Sequence, residues 1–584
     1  MRQFLDGLIA TAALAVLSAC GGGDDESHRT DGEPPPAAGS RPARVTLSLV
    51  SGSENESLLS RLDAKGKVVK GADGAPVASD LLDAWERQNG ARVDVKYMGS
   101  VDIMRAIERG KDCEFDAVFP ASSMWIALGD ERAHVVKDVK SIFRSPVVLA
   151  VERGTAAQLG WIADGKAKRI GAADLLAMAE ARRLKLGMTS AARSNSGASA
   201  FLGFLYAFAG QPDVLTEAHL ESAETAAKVK RVLKSQHRSS GSSGWLKQLY
   251  VEGVAEGRKP FDAMVNYECL VIEANQELAR HGRPPLHVFY LSDALCVADS
   301  PLGYVDKGDA AKAAAFRSLQ EYLLSDAAQA QVVRQGRRPG RFGATLAGAD
   351  PAVWNPDWGI DSTGVLSPIT IPEAPAIRRA LELYMTALRK PSYTVFVLDF
   401  SGSMEGPGEA QLDDAMRMVL ETDLARQHML APGPEDVTVA IPFDANPRVT
   451  AEALGEWTVR GNDRARLQAL LEKILAQDPG GGTGMYSATM LALRSVADLG
   501  ERLRDYNVSI VVMSDGESNR GSLAELAAEV QRSSLANDVP VYTLLFGQAK
   551  EAQMKDLASA FGGRLFDGRR NLAATFQEVQ GYNR

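Results

Sequence analysis

The run from Arg44 to Val50 alternates polar and apolar positions and predicts a β-strand that stops at Ser51-Gly52-Ser53-Glu54-Asn55, ahead of a helical stretch. A Lys- and Gly-bearing insertion over 61–78 predicts a surface loop before a helix at 79–88. The pattern then predicts a strand at 91–96, a helix at 101–110, a strand at 115–119 and, after the turn Pro120-Ala121-Ser122-Ser123, a strand at 145–151. A strand at 184–188 leads through a polar turn at 189–197 into an apolar helix at 198–209. Strands alternating with helices imply an α/β fold with a parallel sheet.

Residues 346–390 break this rhythm with Trp354, Trp358 and several prolines, then an amphipathic stretch from Ala376 to Leu388, and predict a connector packed on one or both neighbours. A new unit begins near 391. The continuous apolar run Tyr393–Phe400 predicts a buried parallel strand. A helix over 411–430, a strand over 437–443, a helix over 465–476, a helix over 485–499 opened by Gly480-Gly481-Gly482-Thr483-Gly484, and strands over 509–513 and 541–546 follow. This second α/β alternation predicts a doubly wound sheet.

The first residues are of another kind. Residues 1–20 carry an Arg-bearing start, a short apolar run from Leu8 to Leu17 and small residues ending at Cys20, the pattern of an export signal. That run is well short of the roughly 20 apolar residues a spanning helix needs, and no other stretch reaches that length. Leu17-Ser18-Ala19-Cys20 resembles a bacterial lipobox, which implies cleavage before Cys20 and its acylation with palmitate-type chains. Such chains hold a protein on a membrane at about 0.8 kcal/mol per buried CH₂. Residues 21–43, rich in Gly, Pro and acid, predict a flexible tether. Gly21 after the cysteine gives no Asp-type retention signal for the inner membrane, so the expectation leans toward the periplasmic face of the outer membrane.

Composition adds little to the fold and something to the partners. Across 584 residues, 65 Lys and Arg against 74 Asp and Glu leave a net charge of −9, which argues against a nucleic-acid partner. Of 4 cysteines, Cys20 belongs to the export signal, and the other three allow either one disulfide, with Cys269 and Cys296 as the pair, or three buried thiols.

In open α/β sheets ligands bind beyond the carboxyl ends of the strands. Three polar turns sit there: Ser51–Asn55, Ala121–Ser123 and Thr189–Gly197. Each also reads as an ordinary helix N-cap; together they can present hydrogen-bond donors to an anion, with Arg193 adding charge. The segments SGSEN, GSVDIM at 99–104, FDAVFPASSMW at 115–125, RSPVVLAV at 144–151, MTSAARSNSGASAFLGFLYA at 188–207, MVNYECLVIEAN at 264–275 and DSPLGYVD at 299–306 resemble bacterial extracellular solute-binding proteins of the two-lobed periplasmic class. The resemblance spans 44–345 and implies two lobes closing on a small ligand, often an oxyanion. It makes Ser53, Asn55, Ser122, Ser123, Ser194, Asn195, Ser196 and Asn266 candidate cleft residues. The insertion after Asn55 departs from the pattern beside the expected cleft, where it could alter or block it.

In the second unit, three polar loops that converge on one crevice if the sheet forms offer Asp399, Ser401, Ser403, Thr483 and Asp515. Hydroxyls and carboxylates are hard ligands that suit Mg²⁺ or Mn²⁺ with an open coordination position. The order D-x-S-x-S, a Thr in a Gly-rich loop, then an Asp after an apolar strand is similar to the von Willebrand factor A (VWA) domain and its metal-ion-dependent adhesion site, over 391–584. The resemblance gives these five residues the ligand roles, with Gly402 and Gly516 permitting tight loops, and implies a partner protein whose acidic residue completes the metal's shell. It makes this unit Rossmann-like.

The Gly-rich loop lacks the Lys-Ser/Thr of a P-loop, and no G-x-S-x-G elbow, H-E-x-x-H helix or Cys/His signature is present. The expectation is therefore a binding protein and not an enzyme. Its VWA module grips a protein partner and its solute-binding-like module takes a small ligand or second partner. The alternative is the solute receptor of a transport system with the VWA module for docking.

Overall fold

In the computed structural model the described residues are 45–64, 66–340, 346, 348–364, 366–427, 430–515, 517–532, 539–546, 551–569, 575–576 and 578–579. The export signal with Cys20, the tether, and Gly516 lie outside them. Among the described residues no helix is long and apolar enough to cross a membrane.

The first lobe is built on a sheet in which Thr46–Ser51 pairs in parallel with Arg92–Tyr97 and Ala117–Phe119. Pro301–Val305 enters antiparallel between Ala117–Phe119 and Val136–Ser141. Apolar residues alternate inward along Thr46–Ser51, so Leu47 and Leu49 meet Trp85 in one buried cluster.

The second lobe is organised by Phe143–Glu152, antiparallel to Ala263–Tyr267, Leu286–Phe289 and Cys296–Ala298. Leu186–Thr189 lies parallel to Ala263–Tyr267 on one side and Gln236–Ser240 on the other. Both sheets are thus mixed, where the alternation alone predicted parallel ones. The chain passes from lobe to lobe between Ser141 and Phe143 and returns between Ala298 and Pro301, so the returning strands run against those already in place. Cys113, Cys269 and Cys296 are buried free thiols, and the Cys296 Sγ donates to the Ser199 carbonyl at 3.0 Å.

The connector packs mainly on the second lobe, and Arg378 also reaches the Leu128 carbonyl and Glu131 of the first. Trp354 and Trp358 join one of its apolar clusters, and the helix Ala374–Leu383 with the π-turn Tyr384–Leu388 places Ile377, Ala380 and Tyr384 in the other.

The C-terminal sheet runs in the order Thr458–Arg460, Val437–Phe443, Ser392–Asp399, Asn507–Ser514, Val541–Leu545, Leu565–Asp567. Every pairing is parallel except the edge strand Thr458–Arg460. Apolar clusters cover both faces, as a doubly wound unit requires. The single helix expected over 411–430 is two, Pro407–Leu420 and Thr422–Gln427, broken where Glu421 turns extended at ψ 109°. The unit meets the second lobe directly: the Lys390 ammonium donates to the Gln236 carbonyl at 2.6 Å, and Trp245 packs on the unit's core.

Candidate metal centre and interlobe cleft

Ser392–Asp399 comes first in the chain and lies inside the sheet, with Val437–Phe443 added on one side of it and Asn507–Ser514 on the other, and crevices form at such switch points. Asp399 ends this strand with no exposed surface. One of its carboxylate oxygens accepts from the Ser401 amide at 2.8 Å and the other from the Ser514 hydroxyl at 2.5 Å. The Ser401 and Ser403 hydroxyls stand 3.2 Å apart, and Ser403 donates to Asp515 at 2.9 Å. Four of the five predicted ligands are therefore in one hydrogen-bonded group.

Thr483 joins through its loop. The Gly402 amide donates to the Gly481 carbonyl at 3.2 Å and the Gly480 amide to the Phe400 carbonyl at 2.8 Å, which ties the Gly-rich loop to the D-x-S-x-S loop. Gly481 sits at φ +73°, a left-handed conformation that favours glycine. Asn519 accepts from the Thr483 amide at 3.0 Å, and the Thr483 carbonyl accepts from Ser518. Arg448 closes the base, donating to the Phe400 and Asp478 carbonyls at 3.2 and 2.9 Å. Ser514, Ser518, Asn519 and Arg448 escaped the sequence reading; the only hint was the adjacency of Ser514 to Asp515.

Burial pushes the Asp399 carboxyl up to about 6, and Asp515 adds to the rise against hydrogen bonds from Ser514 and Ser401. Two carboxylates gathered with hydroxyls at one crevice fit a hard divalent ion.

The cleft is closed by direct contacts between its lobes. Ser53 accepts from the Ser242 hydroxyl at 3.0 Å and the Gly244 amide at 3.2 Å, and the Trp125 indole donates to Asn195 at 2.8 Å. Arg193 pairs with Asp102 across the gap at 3.3 Å. The expected donors face one another. Ser194 and Ser196 both bond Ser243, at 3.0 and 2.8 Å, and Thr189 bonds Ser196 at 2.8 Å. Asn266 donates to the Ser243 carbonyl at 3.0 Å and Asn195 to the Tyr267 hydroxyl at 3.1 Å. Ser122 caps the helix Ser123–Asp130, and the Ser123 amide donates to Asp299 at 2.8 Å. Asn55 donates to Ser51 at 2.9 Å, while its side-chain oxygen and one oxygen of the neighbouring Glu54 are buried without partners. Glu54 was not singled out from sequence. Burial pushes its carboxyl up to about 7, with Arg337 pulling the other way.

The insertion at 61–78 forms an irregular hairpin through the bridges Ser60 with Ala78, Leu62 with Val68 and Lys70 with Pro76. It reaches across to the second lobe, where Gln248 donates to the Gly66 carbonyl at 3.1 Å and Lys67 lies 3.2 Å from Glu252.

Residues 67–338 match the family of bacterial extracellular solute-binding proteins, and 393–566 match the von Willebrand factor type A domain. Among solved structures, the sulfate-binding protein SubI of Mycobacterium tuberculosis is 16% identical with a TM-score of 0.37, over 57% of this chain and 96% of that one. The periplasmic binding protein AfuA of Actinobacillus pleuropneumoniae, solved with fructose-6-phosphate, is 10% identical with a TM-score of 0.40, over 59% of this chain and 98% of that one. A von Willebrand factor type A protein of Catenulispora acidiphila is 20% identical with a TM-score of 0.28, over 34% of this chain and 43% of that one. Comparison with curated proteins gives no significant match.

Proposed function

We propose that this chain is an extracytoplasmic binding protein, held to a bacterial membrane by lipid on Cys20, in which the VWA module grips a protein partner through Mg²⁺ or Mn²⁺. The observation that carries the reading is the hydrogen-bonded group of Asp399, Ser401, Ser403 and Asp515 at the switch point, with the Thr483 loop tied beside it. Asp399, Ser401, Ser403, Thr483 and Asp515 would hold the metal. The bound ion supplies a Lewis-acidic position for a carboxylate of the partner. Asp399 is fixed from behind by Ser514, and Ser403 lies exposed at the mouth, so the chain holds the inner side of the site and leaves the outer side to the partner.

The solute-binding-like module takes a small ligand between its lobes. The buried atoms left without partners include acceptors on Glu54 and Asn55 and donors on Arg193 and Ser190, which supports a polar ligand that both donates and accepts hydrogen bonds. Titration calorimetry of residues 21–584, which leave out the acylated Cys20, tests the metal site. Wild type binds one Mg²⁺ and Asp515→Ala loses it; unchanged affinity in that variant would falsify the assignment.

A further inference from the structure

Both lobes and the VWA module meet at one short turn. The Ser242 hydroxyl and the Gly244 amide donate to Ser53 of the first lobe at 3.0 and 3.2 Å. Between them, the Ser243 hydroxyl lies 3.0 Å from that of Ser194 and 2.8 Å from that of Ser196, both in the second lobe. Trp245, the next residue, packs on the apolar core of the VWA module. The turn is held as one piece. Ser242 caps the helix Ser243–Ala255 by accepting from the Trp245 amide at 3.2 Å, and Leu246, Tyr250 and Val251 seat that helix in an apolar cluster of the second lobe. The fit against the first lobe is tight: a side-chain carbon built at Gly244 would stand 3.3 Å from the Cβ of Ser53 and 3.3 Å from its carbonyl oxygen.

Charges beside the turn tie the same bodies together. Arg193 of the second lobe pairs with Asp102 of the first at 3.3 Å, and within the VWA module Arg564 lies 3.5 Å from Glu578. Burial pulls the Arg193 guanidinium below its usual range, while Asp102 and, more weakly, Glu578 hold it up. Burial pushes the Glu56 carboxyl of the first lobe up to about 7, and Arg564 is the foremost charge opposing that rise. Asp102 and Glu56 travel with the first lobe, and Arg564 and Glu578 with the VWA module. Opening the cleft therefore takes attraction away from the seat of the VWA module as well as from the lobes.

We propose that the turn Ser242–Trp245 couples two movements, so that closure of the lobes and docking of the VWA module on the second lobe form one cooperative state. Such coupling is reciprocal. A partner that draws the VWA module off its seat loosens the closed cleft by the same factor by which an open cleft loosens the seat.

The test needs neither metal nor ligand, so its failure is separate from a failure of either proposed site; it uses residues 21–584 alone. Hydrogen exchange at the Val101 amide, which donates across the gap to the Arg193 carbonyl at 3.5 Å, reads opening of the lobes. Acylation of Lys390 by an amine-reactive ester reads undocking, since its buried ammonium donates to the Gln236 carbonyl of the second lobe. Trp245→Ala weakens the VWA side and should speed Lys390 acylation at least about tenfold and Val101 exchange about fivefold or more. Gly244→Ala presses on Ser53 and should speed Val101 exchange, with Lys390 acylation again rising about fivefold or more. Trp245 is only half-buried and Gly244 lies in the first turn of a helix, where alanine is the better helix former, so both variants keep their fold. Faster acylation alone in Trp245→Ala, faster exchange alone in Gly244→Ala, or no change in either variant would each overturn the proposal.

Discussion

The side-chain amide of Gln248 donates to the carbonyl oxygen of Gly66 at 3.1 Å, and through that bond the arm of the first lobe ends on helix Ser243–Ala255 of the second. The arm leaves and returns at one place, since Ser60 bridges Ala78 and the Ser79 amide donates to the Leu59 carbonyl at 3.0 Å. Excision of 61–78 with a short Gly-Ser turn therefore spares the fold of the first lobe. One hydrogen bond and a half-exposed ion pair together contribute about 1–2 kcal/mol, so excision should move the closed-to-open balance of the lobes by roughly tenfold. Energy transfer between dyes at the exposed positions 137 and 217, one on each lobe, reads that shift. An unchanged transfer efficiency would mean the arm is only an ornament.

Glu54 makes stability depend on pH. Its carboxyl stands at about 7 in the fold against an ordinary 4.5, and burial is the main cause. An acid with a raised folded value binds its proton more tightly folded than unfolded. Its favourable contribution is complete below about 4.5 and is lost as pH rises from there through about 7. The loss amounts to about 3 kcal/mol across that window. Glu54→Gln should flatten the fall in melting temperature between pH 5 and pH 8, leaving the part that Glu56, also raised to about 7, supplies. A variant whose profile overlays wild type would refute the role.

Much of this architecture was legible because its signals are local. The apolar run at Ser392–Asp399 gave the central strand, and the D-x-S-x-S and Asp positions follow the ends of adjacent strands, while Thr483 opens the helix Met485–Ala497 beside them. The cleft was legible only as a place. Ser53 finds its partner 189 residues away and Trp125 finds Asn195 at a separation of 70, so no spacing shows that the expected donors satisfy one another. Glu54 was hidden for the same reason: a carboxylate among small polar residues reads as a solvated loop until the opposing lobe covers it. The mixed sheets escaped because periodicity reports a strand and not its direction.

At the root of the VWA module, Arg389 and Asp436 form a pair that is almost wholly buried, with one contact at 3.0 Å. Asp436 also accepts from the Ser392 amide at 2.8 Å, which anchors the start of the central strand. Arg389→Met would leave that carboxylate buried without its cation and should cost about 3–5 kcal/mol. Adding Asp436→Asn should recover much of the loss. Urea unfolding of the single and double variants measures the coupling, and additive effects would show the pair to be energetically idle.

Ser514 stands behind the proposed metal centre. It is not among the five expected ligands, yet its hydroxyl holds one oxygen of Asp399 at 2.5 Å, opposite the oxygen that takes the Ser401 amide. Residues that orient a ligand in this way commonly account for about 10- to 100-fold in metal affinity. Ser514→Ala should weaken Mg²⁺ binding by that range while leaving five ligand residues in place. Ser509, on the same strand, is buried with a hydroxyl that has no partner, so Ser509→Ala removes nothing the site uses. Calorimetric titration of both variants separates orientation from general loosening of the strand. A weakened Ser514→Ala beside an unaltered Ser509→Ala establishes Ser514 as a positioning residue, whereas equal affinities in both would mean that Asp399 is held by the Ser401 amide alone.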